Sequence, residues 1–502
     1  MSLTKFVGLL AFSAVAASAT AASVEATNDT NAQIAELKKE LNELKSQNGD
    51  KWLTEERASQ IRSVVQDVMA DADTRSSLQA TAATSGYNNG FFIASPDGNF
   101  KLQVNGQVQV RSSYAWATNS SWNSAKDNGT GNETKAQYGT EIRRAKLSFS
   151  GNVVDPSWQY KVTMAYLPAG SNVAGSPYAT DGANSGNGTG STANLEDAYI
   201  NKDMGNGMSL KMGQFKSPFL REELVSSANQ LGVERSVVNQ MFSTGWTDGI
   251  QFTASNDSLM GMVSFNNGGN NANFATQNMS DTDNPGFTQY AITGRIQWLA
   301  FGNWAQFNDM TSMRGGGQGL MIGAAFNWQH CGNQNSFDVG SANTDAGFFT
   351  YTADASWDLG GANLYGAFFG NFTSSLPNEG GNGNGSSIQS YGALVQGGYF
   401  ISDNTELFAS WQWYETVNQG GNGNMSDNNV FSGQMNNIFS AGLNIYLTKN
   451  VKFTFDAGWA VNGIVYNGGI YNQAVAGTNW QVSGASSNGG EWVGRAQIQV
   501  VF

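Results

Sequence analysis

From Phe100 onward, apolar and polar residues alternate with a period of two, the pattern of strands with one dry and one wet face. Leu102, Val104, Val108 and Val110 alternate with Gln103, Asn105, Gln107, Gln109 and Arg111. Ala145, Leu147 and Phe149 alternate with Arg144, Lys146 and Ser148, and Trp158, Tyr160, Val162, Met164 and Tyr166 with Gln159, Lys161 and Thr163. The pattern recurs to the end, where Trp492, Ala496, Ile498, Val500 and Phe502 oppose Arg495, Gln497 and Gln499. Taking each run as a strand gives about 16.

The connections fall into two kinds. Short ones sit at Val154–Ser157, Gly205–Gly207, Ser255–Asp257, Gly360–Gly361, Ser402–Asn404 and Thr448–Asn450. Long ones, rich in Gly, Asn and Ser, sit near 117–138, 168–193, 218–245, 266–286, 331–345, 373–387, 415–433 and 461–490. Short turns on one side, long loops on the other and an even strand number predict an all-β transmembrane antiparallel β-barrel in an outer membrane. A soluble sandwich would also alternate, but with its wet face outward. Trp and Tyr near strand ends suit an interfacial girdle, and the aromatic Phe502 closes the last strand as a barrel signal. Residues 299–318 stand where a short turn is expected, and the pattern gives no reason for their length.

Before the strands the period is 3.6. Ile34, Leu37, Leu41 and Leu44 follow coiled-coil spacing, and Ile61, Val65, Val68 and Ala72 share one face of a second helix. This N-terminal α-helical coiled-coil segment fits self-association, or binding to cell wall or a partner. Residues 81–89 read as a linker. Residues 1–22 read as a secretory signal: Lys5, then an apolar or small run from Phe6 to Ala17. Ala17-Ser18-Ala19 and Ala19-Thr20-Ala21 both fit the cleavage site. The expected division is therefore 1–22 signal, 23–86 periplasmic helices and linker, and 87–502 barrel.

Composition narrows the function. A net charge of −13 without a dominant basic patch argues against nucleic acid. The single cysteine, Cys331, excludes an internal disulfide framework and a Cys-based metal site. The single histidine, His330, leaves His-dependent catalysis almost without material, and no Asp/Ser hydrolase motif is present. Neither enzyme chemistry nor a cofactor is implied, and the His330–Cys331 pair reads as incidental.

One stretch stands apart. Met208–Arg235 opens as a strand, breaks at Pro218, and becomes a polar helix-like segment carrying Arg221, Glu222, Glu223, Glu234 and Arg235. Alone it fits either a loop folding back to narrow a barrel or an ordinary surface hairpin. The barrel reading of the chain favours the constriction loop, 218–245.

Glu141-Ile142-Arg143-Arg144-Ala145-Lys146-Leu147, Leu195-Glu196-Asp197-Ala198-Tyr199-Ile200 and Gly213-Gln214-Phe215-Lys216-Ser217-Pro218-Phe219 resemble the phosphate-selective porins O and P. The resemblance implies a 16-stranded, usually trimeric outer-membrane channel. It also implies an anion site helped by Arg143, Arg144, Asp197 and Lys216. Family members often carry an Arg-Asp pair before a Gly-Val strand; here that place reads Trp246-Thr247-Asp248-Gly249-Ile250, one cation short.

Alternation places Arg111, Arg144, Lys146, Lys161, Lys211, Arg295, Lys452 and Arg495 inward. From Gly315 to Leu447 there is no Lys or Arg, while acidic residues recur. The expected lumen thus has a basic wall opposite a neutral-to-acidic one, with Arg143, Arg144 and Lys216 guiding anions opposite Glu222 and Glu223. Such a transverse field passes small hydrophilic solutes and ions of either sign. A deep phosphate trap would need cations converging from several sides. An envelope tether, with the barrel anchoring the N-terminal helices, is the alternative.

Overall fold

Sixteen of the strands in the computed structural model close into a barrel because each has a dry outer face and partners for its backbone on both sides. The structure describes residues 35–43, 58–69, 83–117, 136–167, 192–269, 288–334, 344–376, 387–419, 435–461, 480 and 490–502. The chain divides into two units, Met1–Ala82 and Ala83–Phe502.

In the first unit, helices α1 (35–43) and α2 (58–69) bear out two of the expected helical stretches. Leu37, Leu41, Ile61, Val65 and Val68 are exposed in the single chain. Ile34, Leu44 and Ala72 lie outside the described residues, as does the expected signal at 1–22.

The second unit opens with a hairpin, β1 (Thr84–Tyr87) and β2 (Phe91–Ala94), where a linker was expected. Strand β2 pairs with the first residues of β3 (Lys101–Ala117), at Lys101–Val104. The barrel then runs β3, β4 (Ala136–Val153), β5 (Asp155–Leu167), β6 (Thr192–Gly205), β7 (Met208–Lys216), β8 (Trp246–Ser255) and β9 (Leu259–Asn266). It continues with β10 (Thr288–Phe301), β11 (Gln318–Gln334), β12 (Thr344–Leu359), β13 (Ala362–Leu376), β14 (Ser387–Phe400) and β15 (Thr405–Gln419). The last three strands are β16 (Met435–Thr448), β17 (Val451–Ala460) and β18 (Glu491–Val501). All neighbours are antiparallel, and β18 pairs with β3 from Gln107 to Ala117 to close the ring. At that seam Gly106 and Phe502 exchange both backbone hydrogen bonds, at 2.8 and 3.0 Å. A Cβ on Gly106 would fall 2.2 Å from the Phe502 ring, so the C-terminal aromatic needs glycine beneath it.

The outer face carries the girdle that alternation predicts. Trp411, Phe439, Trp459, Trp492 and Trp116 are register partners across β15, β16, β17, β18 and β3, near the long-loop end. The Trp459 and Trp492 rings stack 5.4 Å apart.

Two connections turn inward. The one between β7 and β8, here called L3, holds α3 (Arg221–Leu224), a 3-10 turn at Ser227–Asn229 and α4 (Val237–Phe242). Its apolar residues Leu231, Val237, Val238, Met241 and Phe242 are buried in one cluster with Tyr365, Phe369, Leu394, Phe408, Tyr414 and Ile438 from the barrel's inner face. Phe242 stacks on Phe369 at 5.5 Å. Each such side chain contributes about 1.5–3 kcal/mol on burial, so the loop is held as a core is held.

The second inward connection explains the long 299–318 segment. Residues 302–317 carry a 3-10 turn at Trp304–Asn308, capped by Asn303, and bury Phe307 and Met310. It reaches L3 from the short-turn side: Met310 N donates to Asn229 O at 3.0 Å, and Arg221 donates to the carbonyls of Phe307 and Asp309.

Candidate functional site

Two β-bulges set the charges of the lumen wall. Between β3 and β4 the register runs Gln109 to Arg144 and then Val110 to Ile142, leaving Arg143 as the extra residue. Between β5 and β6 it runs Thr163 to Asp197 and then Met164 to Leu195, leaving Glu196 extra. Each bulge turns two successive charged residues inward. Arg143 therefore joins Arg144, and Glu196 joins Asp197. Without the bulge one of each pair would face lipid, at a cost of about 2–4 kcal/mol for an arginine at mid-membrane.

The wall from β3 to β8 is a line of paired charges. Lys146 Nζ lies 2.6 Å from Glu196 Oε1, and Lys161 Nζ lies 2.9 Å from Asp197 Oδ2. Lys216 Nζ lies 3.0 Å from Glu223 Oε1 and donates to the Glu223 carbonyl at 2.6 Å. Arg111, Arg143 and Arg144 all reach Glu234, at 2.7, 2.6 and 2.8 Å. Arg111 also meets Glu141 at 2.6 Å. Lys211 has no ion pair among the described residues; its ammonium lies over the rings of Tyr199 and Phe215, at 4.9 and 5.4 Å.

A cavity of ≈1080 Å³ runs along this wall towards the short-turn end, past Lys146, Lys161, Lys211, Lys216, Asp197 and Trp246. Trp246 opens β8 beside this cavity, at the head of the Trp246-Thr247-Asp248-Gly249-Ile250 stretch. Its ring faces Lys216 at 4.7 Å and Lys146 at 5.7 Å, and Nε1 donates to Asp197 at 3.3 Å.

L3 is internally braced by its own charges. Arg235 donates to the carbonyls of Glu222 and Val225, satisfying the C-terminal end of α3. Glu222 accepts from Ser236 N at 2.8 Å and Oγ at 2.6 Å, tying α3 to the N-cap of α4. Burial pushes the Glu222 carboxyl up to about 7. Burial also acts to raise Glu223, but Arg235, Lys216 and Asn239 outweigh it and bring its carboxyl down to about 2. Arg221 reaches Ser356 Oγ on β12 at 2.5 Å.

The remaining strands hold buried pairs rather than an open acidic wall. Arg295 makes a bidentate pair with Asp354, at 2.8 and 2.9 Å, and donates to Phe219 O. Arg495 pairs with Asp456 at 2.7 Å. Lys452 donates to Gln230 O at 2.9 Å. Glu406 is buried among Asn363, Asn444 and Tyr446.

Residues 108–462 match the family model for phosphate-selective porin O and P. The chain belongs to that family. As a porin it forms a passive diffusion channel in an outer membrane. No curated protein sequence matches it. Among solved structures it is similar to the anion-selective porin from Comamonas acidovorans, with 12% identity, a TM-score of 0.48, and coverage of 80% of this chain and 99% of that one. It is also similar to the trimer form of OmpT from Vibrio cholerae, with 11% identity, a TM-score of 0.46, and coverage of 80% and 99%. For Salmonella typhi OmpF in complex with daunomycin the values are 10%, 0.46, and 84% and 100%.

Within this porin the family-like positions come together in part. Asp197, Lys216, Lys146, Lys161 and Lys211 share one cavity, whereas Arg143, Arg144 and Arg111 gather around Glu234. Glu222 and Glu223 do not stand opposite the arginines: Glu223 grips Lys216 and Glu222 turns back into the loop. Alternation did not mark Arg143 or Glu196 as inward. Two consecutive charges in a spanning strand were the available signal, since a regular strand cannot keep both from lipid. The His330 and Tyr290 ring centroids lie 5.6 Å apart.

Proposed function

We propose that the solute path of this porin runs between L3 and the β3–β8 wall, and that it passes small hydrophilic solutes and ions with only a weak preference for anions. The observation that carries this reading is the pairing of nearly every wall cation with a carboxylate, which leaves little uncompensated charge along the cavity. Lys211 is the exception and supplies the residual preference. In this reading L3 is the constriction, the porin works as a homotrimer, and the N-terminal helices after a cleaved 1–22 signal lie in the periplasm, where they associate or bind cell wall.

Single-channel recording with reversal potentials in a salt gradient tests it. The double variant Arg144→Ala, Lys216→Ala is expected to shift permeability towards cations. The shift should be largest at low salt, because the Debye length of ~10 Å at 0.1 M shortens as salt rises. Submillimolar phosphate blocking chloride current in the wild type would overturn weak selectivity.

A further inference from the structure

The inner face of β3 reads, from the long-loop end downwards, Ala115, Ser113, Arg111, Gln109, Gln107 and Asn105. Ala115 and Ser113 line a cavity of ≈280 Å³ that also touches Tyr138, Thr140 and Glu141. Gln107 and Asn105 line the ≈1080 Å³ cavity. Arg111 lies between the two and lines neither. The step from one cavity to the other along this wall therefore crosses the arginine cluster.

That cluster has the form of an oxyanion site. Arg111 Nη1 reaches Glu234 Oε1 at 2.7 Å, and Arg143 Nε reaches the same oxygen at 2.6 Å. Arg144 holds both oxygens, Nη1 to Oε1 at 3.1 Å and Nη2 to Oε2 at 2.8 Å. Several charge-assisted donors converging on two oxygens is how guanidinium groups bind phosphate or sulfate. Here the occupant is the chain's own residue, with its side chain 1% exposed. It cannot drift. On one side Val233 N is held by Asp456 Oδ2 at 3.3 Å; on the other, Arg235 is bound to the α3 carbonyls. Burial alone would raise the Glu234 carboxyl, but Arg143, Arg144 and Arg111 hold it well below the usual range, so it stays charged.

We infer that Glu234 is a tethered anion: it fills an arginine site for small oxyanions on the solute path and so keeps that site from permeating anions. This rests on the channel reading above and makes Glu234 the residue that keeps the porin's anion preference weak. Neutralising it removes the carboxylate that Arg111, Arg143 and Arg144 share, while Glu141, 41% exposed, still pairs with Arg111.

The experiment compares Glu234→Gln with Glu141→Gln in planar bilayers, by reversal potential and by inorganic phosphate titrated against chloride current. Both variants remove one negative charge beside Arg111, but only the first neutralises the carboxylate that Arg111, Arg143 and Arg144 share. E234Q is expected to raise anion-over-cation permeability severalfold, with phosphate reducing its chloride current at concentrations that leave wild-type current unchanged. A shift in E234Q no larger than in E141Q overturns the inference. If E234Q does not insert as a heat-modifiable barrel, Glu234→Asp replaces it. Its retracted carboxylate should move selectivity the same way by less, and no movement overturns the inference. A wild-type barrel that inserts without conducting sinks the channel reading instead.

Discussion

Strands β12–β16 and strands β3–β8 face the same lumen, yet their inner faces have opposite character. The first group presents Tyr365, Phe369, Leu394, Phe408, Tyr414 and Ile438, which L3 covers with Val238, Met241, Phe242 and their neighbours. The second presents Lys146, Lys161, Lys211 and Lys216 to the ≈1080 Å³ cavity. One face of the loop is therefore a core and the other a charged bank. The difference teaches how a wide barrel is narrowed: not by a strap hung across it, but by filling one half with an ordinary apolar core. The absence of Lys and Arg from Gly315 to Leu447 then has a plain cause. Most of that stretch's inner surface is packed, and an unpaired buried charge there would be costly.

The comparison breaks first at the core. Phe242→Ala is expected to cost about 3–5 kcal/mol of docking. L3 should then leave β14–β15, and single-channel conductance should rise severalfold with selectivity lost. Unchanged conductance in the variant would show that the loop is held from the charged side instead.

Gly392→Ala probes the same contact more gently. The new methyl would meet Val238 Cγ1 at 2.7 Å and Phe242 Cε2 at 3.0 Å, wedging α4 away from the strand. Overpacking of this kind costs about 1–3 kcal/mol. A modest conductance increase and a lower heat-modification temperature are expected on gels run after graded heating. The reading fails if both stay at wild-type values.

The smallest effect is on the charged side and depends on pH. Glu223, brought down to about 2 from a usual 4.5, steadies the docked loop above about 4.5, and that contribution is lost as pH falls towards 2. Glu222, raised to about 7, acts in the opposite sense: docking favours its protonated form, and this contribution fades as pH rises from 4.5 through 7. Arg235 and Glu223 from the loop and Tyr365 from β13 are the titratable groups that act on Glu222. Conductance should be lowest near pH 4.5, increasing slightly as pH falls towards 2 and as it rises through 7. A flat profile from pH 3 to 9 would remove the two glutamates from loop control.

The barrel was largely legible because alternation is a direct consequence of lipid outside and water inside. The short turns at Gly205–Gly207 and Gly360–Gly361 fell where positive-φ glycines permit them. The half-filled lumen was harder to see. In Leu364-Tyr365-Gly366-Ala367-Phe368-Phe369 alternation gives way to apolar residues on both faces, the mark of a strand covered on both sides. The site was legible as residue types but not as partners. Glu234 stood in the sequence beside Arg235 as one more loop charge, and only the fold brings it to arginines from β3 and β4, some 90 to 123 residues away in sequence. The 302–317 turn gave no sign at all, since its partner, L3, enters from the other end of the barrel.

That turn has a consequence for how the protein tolerates change. L3 and residues 302–317 meet tip to tip, Asn229 with Asn308 and Met310, and Arg221 with Phe307 and Asp309. The lengths of the two connections are therefore fixed against each other. An insertion or deletion in one leaves a gap or a collision at the other, so a graft of L3 onto another barrel would have to bring the 302–317 turn with it as a matched pair.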